Sequence, residues 1–330
     1  MKITVLGTGS WGATLATLLF ENGHGVTMWE IDPKRADDLQ NRIIKPFSAG
    51  NDLPKGITVT SDFGPIKNSD GVLFVVPSQF MRSTCQLLKD NGVSLDGKLV
   101  ISATKGIENE TLYRMSEVIE GVFPGNYRNI AVISGPSHAE EVCKKIPTTV
   151  TSASCDIDTA EKCRGLFMND YFRVYNQTDI IGVEIGAALK NVFAIASGII
   201  DGLKYGDNTK AAIVSRGLKE LISVGVALGG KEQTFYGLSG VGDLMVTCFS
   251  QHSRNRAVGQ TIGEGKSLAE AEESLGMIAE GVKNTISAYE LGKKLGIDLP
   301  IINEVYSILF EDKNPSDAVR ALMTRDPKHE

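Results

Sequence analysis

Gly7-Thr8-Gly9-Ser10-Trp11-Gly12 lies between a β-forming run, Ile3–Leu6, and a helix-forming run, Trp11–Asn22. A G-x-G-x-x-G in that setting restricts a fold more than any other short segment of this chain. Gly7 permits the tight turn, Gly9 lets the backbone approach a pyrophosphate, and Gly12 allows the helix to pack closely on the strand. The exposed amides at the helix start then receive phosphate charge. The next β-rich run, Val26–Trp29, leads into Glu30-Ile31-Asp32, about where the acid that binds an adenosine ribose belongs. Either Glu30 or Asp32 is placed to accept the ribose hydroxyls, and a carboxylate there repels a 2′-phosphate, which favours NAD over NADP. Two plainer arrangements compete: an acid capping the helix that opens at Pro33, and Lys34 or Arg35 turning back to hold a 2′-phosphate.

The first half continues in the same alternation. Ile57–Thr60, Val72–Val76, Leu99–Ser102 and Ile130–Ser134 read as strands, with helical stretches at Pro33–Asn41, Phe80–Asp90 and Thr111–Ile119. Near-continuous apolar runs such as Val72-Leu73-Phe74-Val75-Val76 suit parallel strands covered on both faces. The alternation implies right-handed crossovers and a doubly wound sheet. Near Thr178 the pattern changes to Ala/Leu/Ile/Val stretches at helical spacing: Val183–Ile200, Thr209–Val226, Leu268–Leu275, Gly281–Leu295 and Ile301–Leu309. The expected architecture is α/β: a Rossmann-type doubly wound sheet over residues 1–178, followed by an all-helical domain over 179–330. The polar tail Arg325–Glu330 is expected to fray.

Composition narrows the partners. The 34 basic and 40 acidic residues leave a net charge of −6, which argues against a nucleic-acid or anionic-membrane surface. An anionic ligand must therefore be caught by a local cluster of donors. The five cysteines, Cys85, Cys143, Cys155, Cys163 and Cys248, are scattered, with neither a Cys-x-x-Cys pair nor zinc-ligand spacing; reduced thiols are expected, and no metal. No stretch is expected to reach the roughly 18–20 apolar residues of a membrane span. Met1–Leu6 runs straight into the glycine loop, leaving no room for a signal peptide. A cytoplasmic protein is expected.

Polar residues then stand where a plain core would not place them. Ser102-Ala-Thr-Lys-Gly106 ends a strand, and the carboxyl ends of parallel strands face the ligand crevice, so Lys105 points toward a bound nicotinamide; as a lone residue it reads as an ordinary surface lysine. Ser134-Gly-Pro-Ser-His-Ala139 follows a strand and is expected to open a helix at Ser137, whose free amides suit substrate oxygens or an ordinary N-cap. In Gly186-Ala-Ala-Leu-Lys-Asn-Val-Phe-Ala194, Lys190 sits in an otherwise apolar stretch. Burial there should lower its proton affinity and suit it to acid–base chemistry, unless its stem snorkels to solvent. Gly237-Leu-Ser-Gly-Val-Gly-Asp243 supplies an acid able to orient Lys190. Ser253-Arg-Asn255 supplies a guanidinium fork and helix-start amides that suit a phosphate.

In order and over nearly the whole length, these blocks make the chain resemble the bacterial type of NAD(P)-dependent glycerol-3-phosphate dehydrogenase. Thr247-Cys248 and Ala279-Glu-Gly281 extend the match. The resemblance implies reduction of dihydroxyacetone phosphate, homodimers, and supply of sn-glycerol 3-phosphate to phospholipid synthesis. It implies dinucleotide contacts at Ser10, Trp11, Lys105, Ala139, Arg254, Ile278 and Glu280, beside Gly7, Gly9, Gly12 and Glu30 of the motif. It further implies substrate positions at Lys105, Gly135, Ser137, Lys190, Asp243, Ser253, Arg254 and Asn255, with Lys190 as proton donor and acceptor. Asp243 and Lys105 complete the implied catalytic set. One departure matters: many bacterial members carry basic residues after the second strand, whereas Glu30-Ile31-Asp32 stands here, which reinforces the preference for NAD. Two rivals share parts of this pattern. A ketopantoate-type reductase lacks the Ser-Arg-Asn block, and a redox sensor that holds NAD(H) without turnover has no need of Lys190.

Overall fold

A computed structural model of the chain describes residues 1–46, 52–275, 279–327 and 329. Two compact units emerge: residues 1–105 with 113–184, and 106–112 with 185–330. The excursion 106–112 interrupts the first unit in sequence, a feature that no composition shift marks.

The first unit is built on β1 (Lys2–Leu6), α1 (Ser10–Glu21), β2 (Gly25–Trp29), α2 (Pro33–Gln40), β3 (Thr58–Thr60), α3 (Gly64–Lys67), β4 (Gly71–Phe74), α4 (Met81–Asp90), β5 (Leu99–Ser102), α5 (Met115–Val122), β6 (Ile130–Ser134), α6 (Ala139–Val142), β7 (Thr148–Ala153), α7 (Ile157–Phe167) and β8 (Phe172–Gln177). The strands form one sheet in the order β3-β2-β1-β4-β5-β6-β7-β8. All pairs are parallel except β6 with β7. The first six strands thus run 3-2-1-4-5-6, and the order reverses between β1 and β4, where a doubly wound sheet opens its ligand crevice.

The apolar runs explain the two-sided burial. Ile3, Val5, Val26, Met28, Leu73, Ile101 and Ile133 pack on one face with α1, α2 and α7 residues such as Leu15, Leu19, Leu39 and Phe167. Leu6, Val72, Phe74, Val100, Ile130 and Val132 point the other way, toward Met81, Cys85 and Leu88 of α4 and Val118 and Ile119 of α5. Strand alternation sends neighbouring residues to opposite faces, so a continuous apolar run fills both layers.

Three expectations need correction here. The sheet extends two strands further than the sequence suggested. β7 is rich in Thr and Ser (TTVTSA), so it lacks an apolar run. β8 alternates Phe172 and Val174 inward with exposed Arg173 and Tyr175, a two-residue period that was present but short. The helix expected at Thr111 begins at Met115, since Leu112 has φ +62°, a left-handed conformation that ends any continuous helix. Finally, a long apolar stretch does exist. The next helix, α8 (Ile180–Gly202), has 23 residues and passes for a membrane span by length and composition. Yet 94% of its most apolar window is buried within the protein, and it carries Glu184 and Lys190. Its length escapes notice because those charges break the apolar run.

In the second unit the helices are α9 (Gly206–Ala227), α10 (Glu232–Phe235), α11 (Asp243–Phe249), α12 (Arg254–Gly263), α13 (Leu268–Leu275), α14 (Glu280–Leu295), α15 (Pro300–Phe310) and α16 (Pro315–Met323). A turn of wide, π-type helix, Leu238–Gly242, leads into α11. The contact that organises this unit is glycine-made. A Cβ on Gly198 or Gly202 of α8 would lie 1.9 or 2.3 Å from the carbonyl oxygens of Arg256 and Gln260, and one on Gly259 or Gly263 of α12 would meet those of Ile195 and Ile199 at 2.0 and 2.4 Å. Two Gly-x-x-x-Gly stripes therefore face each other, and α8 and α12 touch backbone to backbone.

Candidate active site

In the first unit the glycine loop is built as its sequence requires. Gly7 has φ +114°, and a Cβ there would sit 2.7 Å from the Val75 carbonyl oxygen, while a Cβ on Gly12 would fall 2.2 Å from the Gly7 oxygen. Gly9 differs: an added Cβ would meet no protein atom within 4 Å. Space is thus left beside the start of α1, whose N-cap is Gly9 itself and makes no side-chain cap bond, with no acidic residue in the first turn. A twelve-residue helix that presents uncapped amides and unfilled space fits a pyrophosphate. Ser10 is buried at the first position of α1, and half-buried Trp11 follows with its indole Nε1 buried and without a partner.

The two acids after β2 separate into two jobs. Asp32 is the N-cap of α2 and accepts from the amides of Lys34 (2.9 Å) and Arg35 (3.4 Å). Glu30 accepts from the hydroxyl of Thr8, inside the glycine loop, from Arg35 Nε (3.3 Å) and from the Asp32 amide (3.2 Å). Glu30 is therefore the carboxylate not spent on capping, held at the glycine loop, and Arg35 does turn back, toward that carboxylate.

Lys105, Gly135 and Ser137 come together at the carboxyl ends of β5 and β6. Lys105 Nζ donates to the Gly135 carbonyl at 3.3 Å and Ser137 Oγ to the same oxygen at 2.9 Å. The helix expected at Ser137 begins two residues later, at Ala139, with His138 in the cap position. Gly135 has φ +146° and a Cβ there would clash with Val150 at 2.9 Å, so the chain turns before it can coil.

The second unit gathers Lys190, Asp243, Ser253 and Asn255. Gly186 and Lys190 lie one turn apart on α8. At Gly186 a Cβ would meet the Ser239 carbonyl oxygen at 2.3 Å, so the turn before α11 sits directly on α8 and delivers Asp243 to Lys190. The buried ammonium of Lys190 donates to Asp243 Oδ1 and, at 2.9 Å, to Thr247 Oγ1. Thr247 in turn donates to the Asp243 carbonyl at 2.6 Å. Burial disfavours the charged ammonium, as expected of an apolar stretch, and the Asp243 carboxylate acts the other way. At the next position of α11, the buried thiol of Cys248 is pushed up to about 12 by desolvation, which makes it inert as a nucleophile.

Ser253 is the N-cap of α12 and accepts from the Arg256 amide at 3.3 Å. That leaves the amides of Arg254 and Asn255 as the helix-start donors not used by the cap. The Asn255 carboxamide donates to Asn191 Oδ1 (2.9 Å) and accepts from the Gly281 amide (2.9 Å). It joins α8, α12 and α14 beside Lys190. Glu280 is the first residue of α14; Ile278 lies outside the described residues.

Thr247 and Asn191 received no role from sequence. The signal for Thr247 was its spacing, four residues after Asp243 on the same helix face. For Asn191 it was a polar amide in an apolar run, costly unless partnered. Among the described residues there is no group of three or more His, Cys, Asp or Glu able to hold a metal ion, and none of the five cysteines is in a disulfide.

Comparison with known proteins bears on both units. Family models described as the N-terminus and the C-terminus of NAD-dependent glycerol-3-phosphate dehydrogenase match residues 2–160 and 179–320. A glycerol-3-phosphate dehydrogenase [NAD(P)+] of Fusobacterium nucleatum is 47% identical over 332 residues, covering 100% of this chain and 98% of the relative. One from Thermoanaerobacter sp. is 47% identical over 331 residues, covering 100% and 99%. The crystal structure of glycerol-3-phosphate dehydrogenase from Coxiella burnetii superposes with a TM-score of 0.91 at 34% identity, covering 98% of each chain. A ketopantoate reductase from Ralstonia eutropha reaches a TM-score of 0.62 at 15% identity, covering 97% of this chain and 100% of that one, a likeness of fold alone.

Proposed function

This chain belongs to the NAD-dependent glycerol-3-phosphate dehydrogenase family, and we propose that it reduces dihydroxyacetone phosphate to sn-glycerol 3-phosphate with NAD(P)H, and runs the reverse oxidation. The observation that carries this reading is the second unit's cluster. A buried, carboxylate-paired lysine on α8 is linked through Asn191 and Asn255 to the start of α12, where Arg254 and two amides suit a phosphate.

The bound nicotinamide supplies the hydride that adds to the C2 carbonyl carbon. As negative charge builds on the carbonyl oxygen, Lys190 donates the proton from Nζ to it. Asp243 and Thr247 hold that ammonium in place and charged, so the donor is oriented before the substrate arrives. Arg254 and Asn255 bind the phosphate, with the α12 amides adding donors that cost no rearrangement. Lys105, Gly135 and Ser137 are assigned substrate contact by resemblance, and Lys105 electrostatic stabilisation. In the first unit the glycine loop, Ser10, Trp11 and Ala139 are assigned to the dinucleotide, as are Arg254 and Glu280 of the second. Glu30 supports a preference for NAD, since its carboxylate repels a 2′-phosphate. Residues 1–178 serve the cofactor and 179–330 the substrate in this reading. It describes a cytoplasmic homodimer feeding glycerophospholipid synthesis.

The test is loss of absorbance at 340 nm when purified protein is mixed with NADH or NADPH and dihydroxyacetone phosphate. Rapid oxidation is the expected result. Cofactor binding without oxidation, or oxidation only with a keto acid, rejects the proposal.

A further inference from the structure

Asp201, near the end of α8, takes no part in the chemistry above, yet two cations converge on it. Lys210 of α9 donates to both carboxylate oxygens, at 2.9 and 2.8 Å. Arg256 of α12 brings Nε to 3.0 Å of Oδ2, an ion pair without hydrogen-bond alignment. The three side chains are only 9, 15 and 23% exposed for Lys210, Arg256 and Asp201, and the Lys210 ammonium also lies 5.1 Å from the centre of the Phe249 ring. Drawing three charges out of water is a poor way to gain stability alone, because desolvation offsets most of the attraction. What such a group does well is fix geometry.

The geometry it fixes is the first turn of α12. Arg256 is the third residue of that helix and is held twice: its amide by the Ser253 hydroxyl and its guanidinium by Asp201 and, at 3.3 Å, by Gln260 Oε1. The residue before it, Asn255, is tied to Asn191. The two attachment points on α8, positions 191 and 201, are about 15 Å apart along the helix axis at 1.5 Å per residue. The glycine contacts fix how α8 and α12 cross; these two well-separated side-chain ties add to them at the first turn of α12, where the backbone packing alone does not orient the side chains and amides. The segment so held is the one that presents Arg254 and the helix-start amides.

Building on the function proposed above, we propose that Asp201 is a positioning residue for phosphate recognition: through Arg256 it aims the start of α12 at the phosphate of the substrate. It touches neither substrate nor cofactor, and it acts on affinity for the phosphorylated ligand rather than on the proton transfer at Lys190.

The experiment uses the full-length protein and the variants D201N, R256Q, R256K and D201N/R256Q. Wild-type turnover of dihydroxyacetone phosphate is measured first; its absence rejects the proposed function and not this inference alone. In an active enzyme, D201N and R256Q should each raise KM for dihydroxyacetone phosphate about tenfold while kcat falls less than threefold, since misaimed donors weaken binding chiefly. Inhibition by inorganic phosphate should weaken by the same factor. R256K, which keeps a cation in reach of Asp201, should stay within about threefold of wild type. The double variant should be little worse than either single one, because both break the same link. A KM within twofold of wild type in R256Q, or a fall in kcat with KM and phosphate inhibition unmoved, overturns the inference. So does a lowered melting temperature as the only change. R256Q leaves the Asp201–Lys210 pair intact and carries the test if D201N does not fold.

Discussion

At the scale of single residues, the Gly186–Lys190 pair shows how a short motif acquires chemical meaning. The glycine exists so that a backbone turn can rest on α8, and that turn brings a carboxylate to the lysine one helical turn away. Lys190 was legible in the sequence because an ammonium in an apolar helix demands an explanation. Its partner Asp243, 53 positions away, was legible as an acid after a run of glycines; the second partner, Thr247, was not, because a threonine on a helix carries no signal of its own. K190A should lower turnover by a factor on the order of a hundred or more while the dissociation constant for NADH changes little; stopped-flow turnover beside fluorescence titration separates the two. Near-normal turnover would remove Lys190 from the mechanism. Glu30 offers a second test. Its carboxylate is the one left after β2 once Asp32 is spent on capping α2, it holds Arg35, and the function proposed above sets it against the adenosine ribose. E30Q removes the repulsion of a 2′-phosphate and frees that guanidinium. The ratio of kcat/KM for NADPH to that for NADH should rise about tenfold. An unmoved ratio would mean that specificity is set elsewhere.

Among elements, the legible ones were those whose burial is two-sided or whose amphipathic period is long. β1, β2 and β4 to β6, and α8, α9, α14 and α15, were read to within a few residues because apolar spacing reports what a segment packs against. β7 and β8 were not, and of α12 only the start near Ser253 was, for distinct reasons. β7 fills its place with hydroxyl-bearing side chains, β8 is an edge strand with only two buried apolar residues, and α12 packs through glycines that carry no hydropathy signal. Helix ends depend on partners from afar, as α15 shows. Its first turn is capped by Glu220 of α9, which accepts from the amides of Ile301 (2.7 Å) and Ile302 (3.1 Å). Burial pushes that carboxyl up to about 7; the two amides pull the other way, Asp298 adds to the rise and Arg216 opposes it. In the unfolded chain the group titrates near 4.5, so between the two values the folded state binds more protons. Stability from this group is therefore full below about pH 4.5 and is lost as pH rises through about 7, a change on the order of 3 kcal/mol. Urea unfolding across pH 4.5 to 8 should show that decline in wild type and a flatter profile in E220Q. Identical slopes would place the burial penalty on another group.

For the whole molecule, the consequential feature is that its 23-residue apolar helix, α8, is also the one that holds Lys190. α8 has the length and composition of a membrane span. Yet each of its charges is matched: Glu184 accepts from the buried Arg114 guanidinium and from Ser116 through its amide (2.8 Å) and hydroxyl (2.6 Å), Lys190 pairs with Asp243, and Asp201 pairs with Lys210 and Arg256. A helix inserted in lipid would have to surrender all three sets of partners, at a cost of several kcal/mol for each unpaired charge. The same burial explains why the alternation of the first half gives way so abruptly to long apolar helices: α8 has protein on every side, so it has no polar face to show. The native protein should accordingly remain in the aqueous phase when a cloud-point detergent solution separates. After heating through its unfolding transition, which exposes α8, the protein should pass into the detergent phase or aggregate. Native protein recovered in the detergent phase would contradict the packing described for α8, and with it the placement of Lys190 in a protein interior.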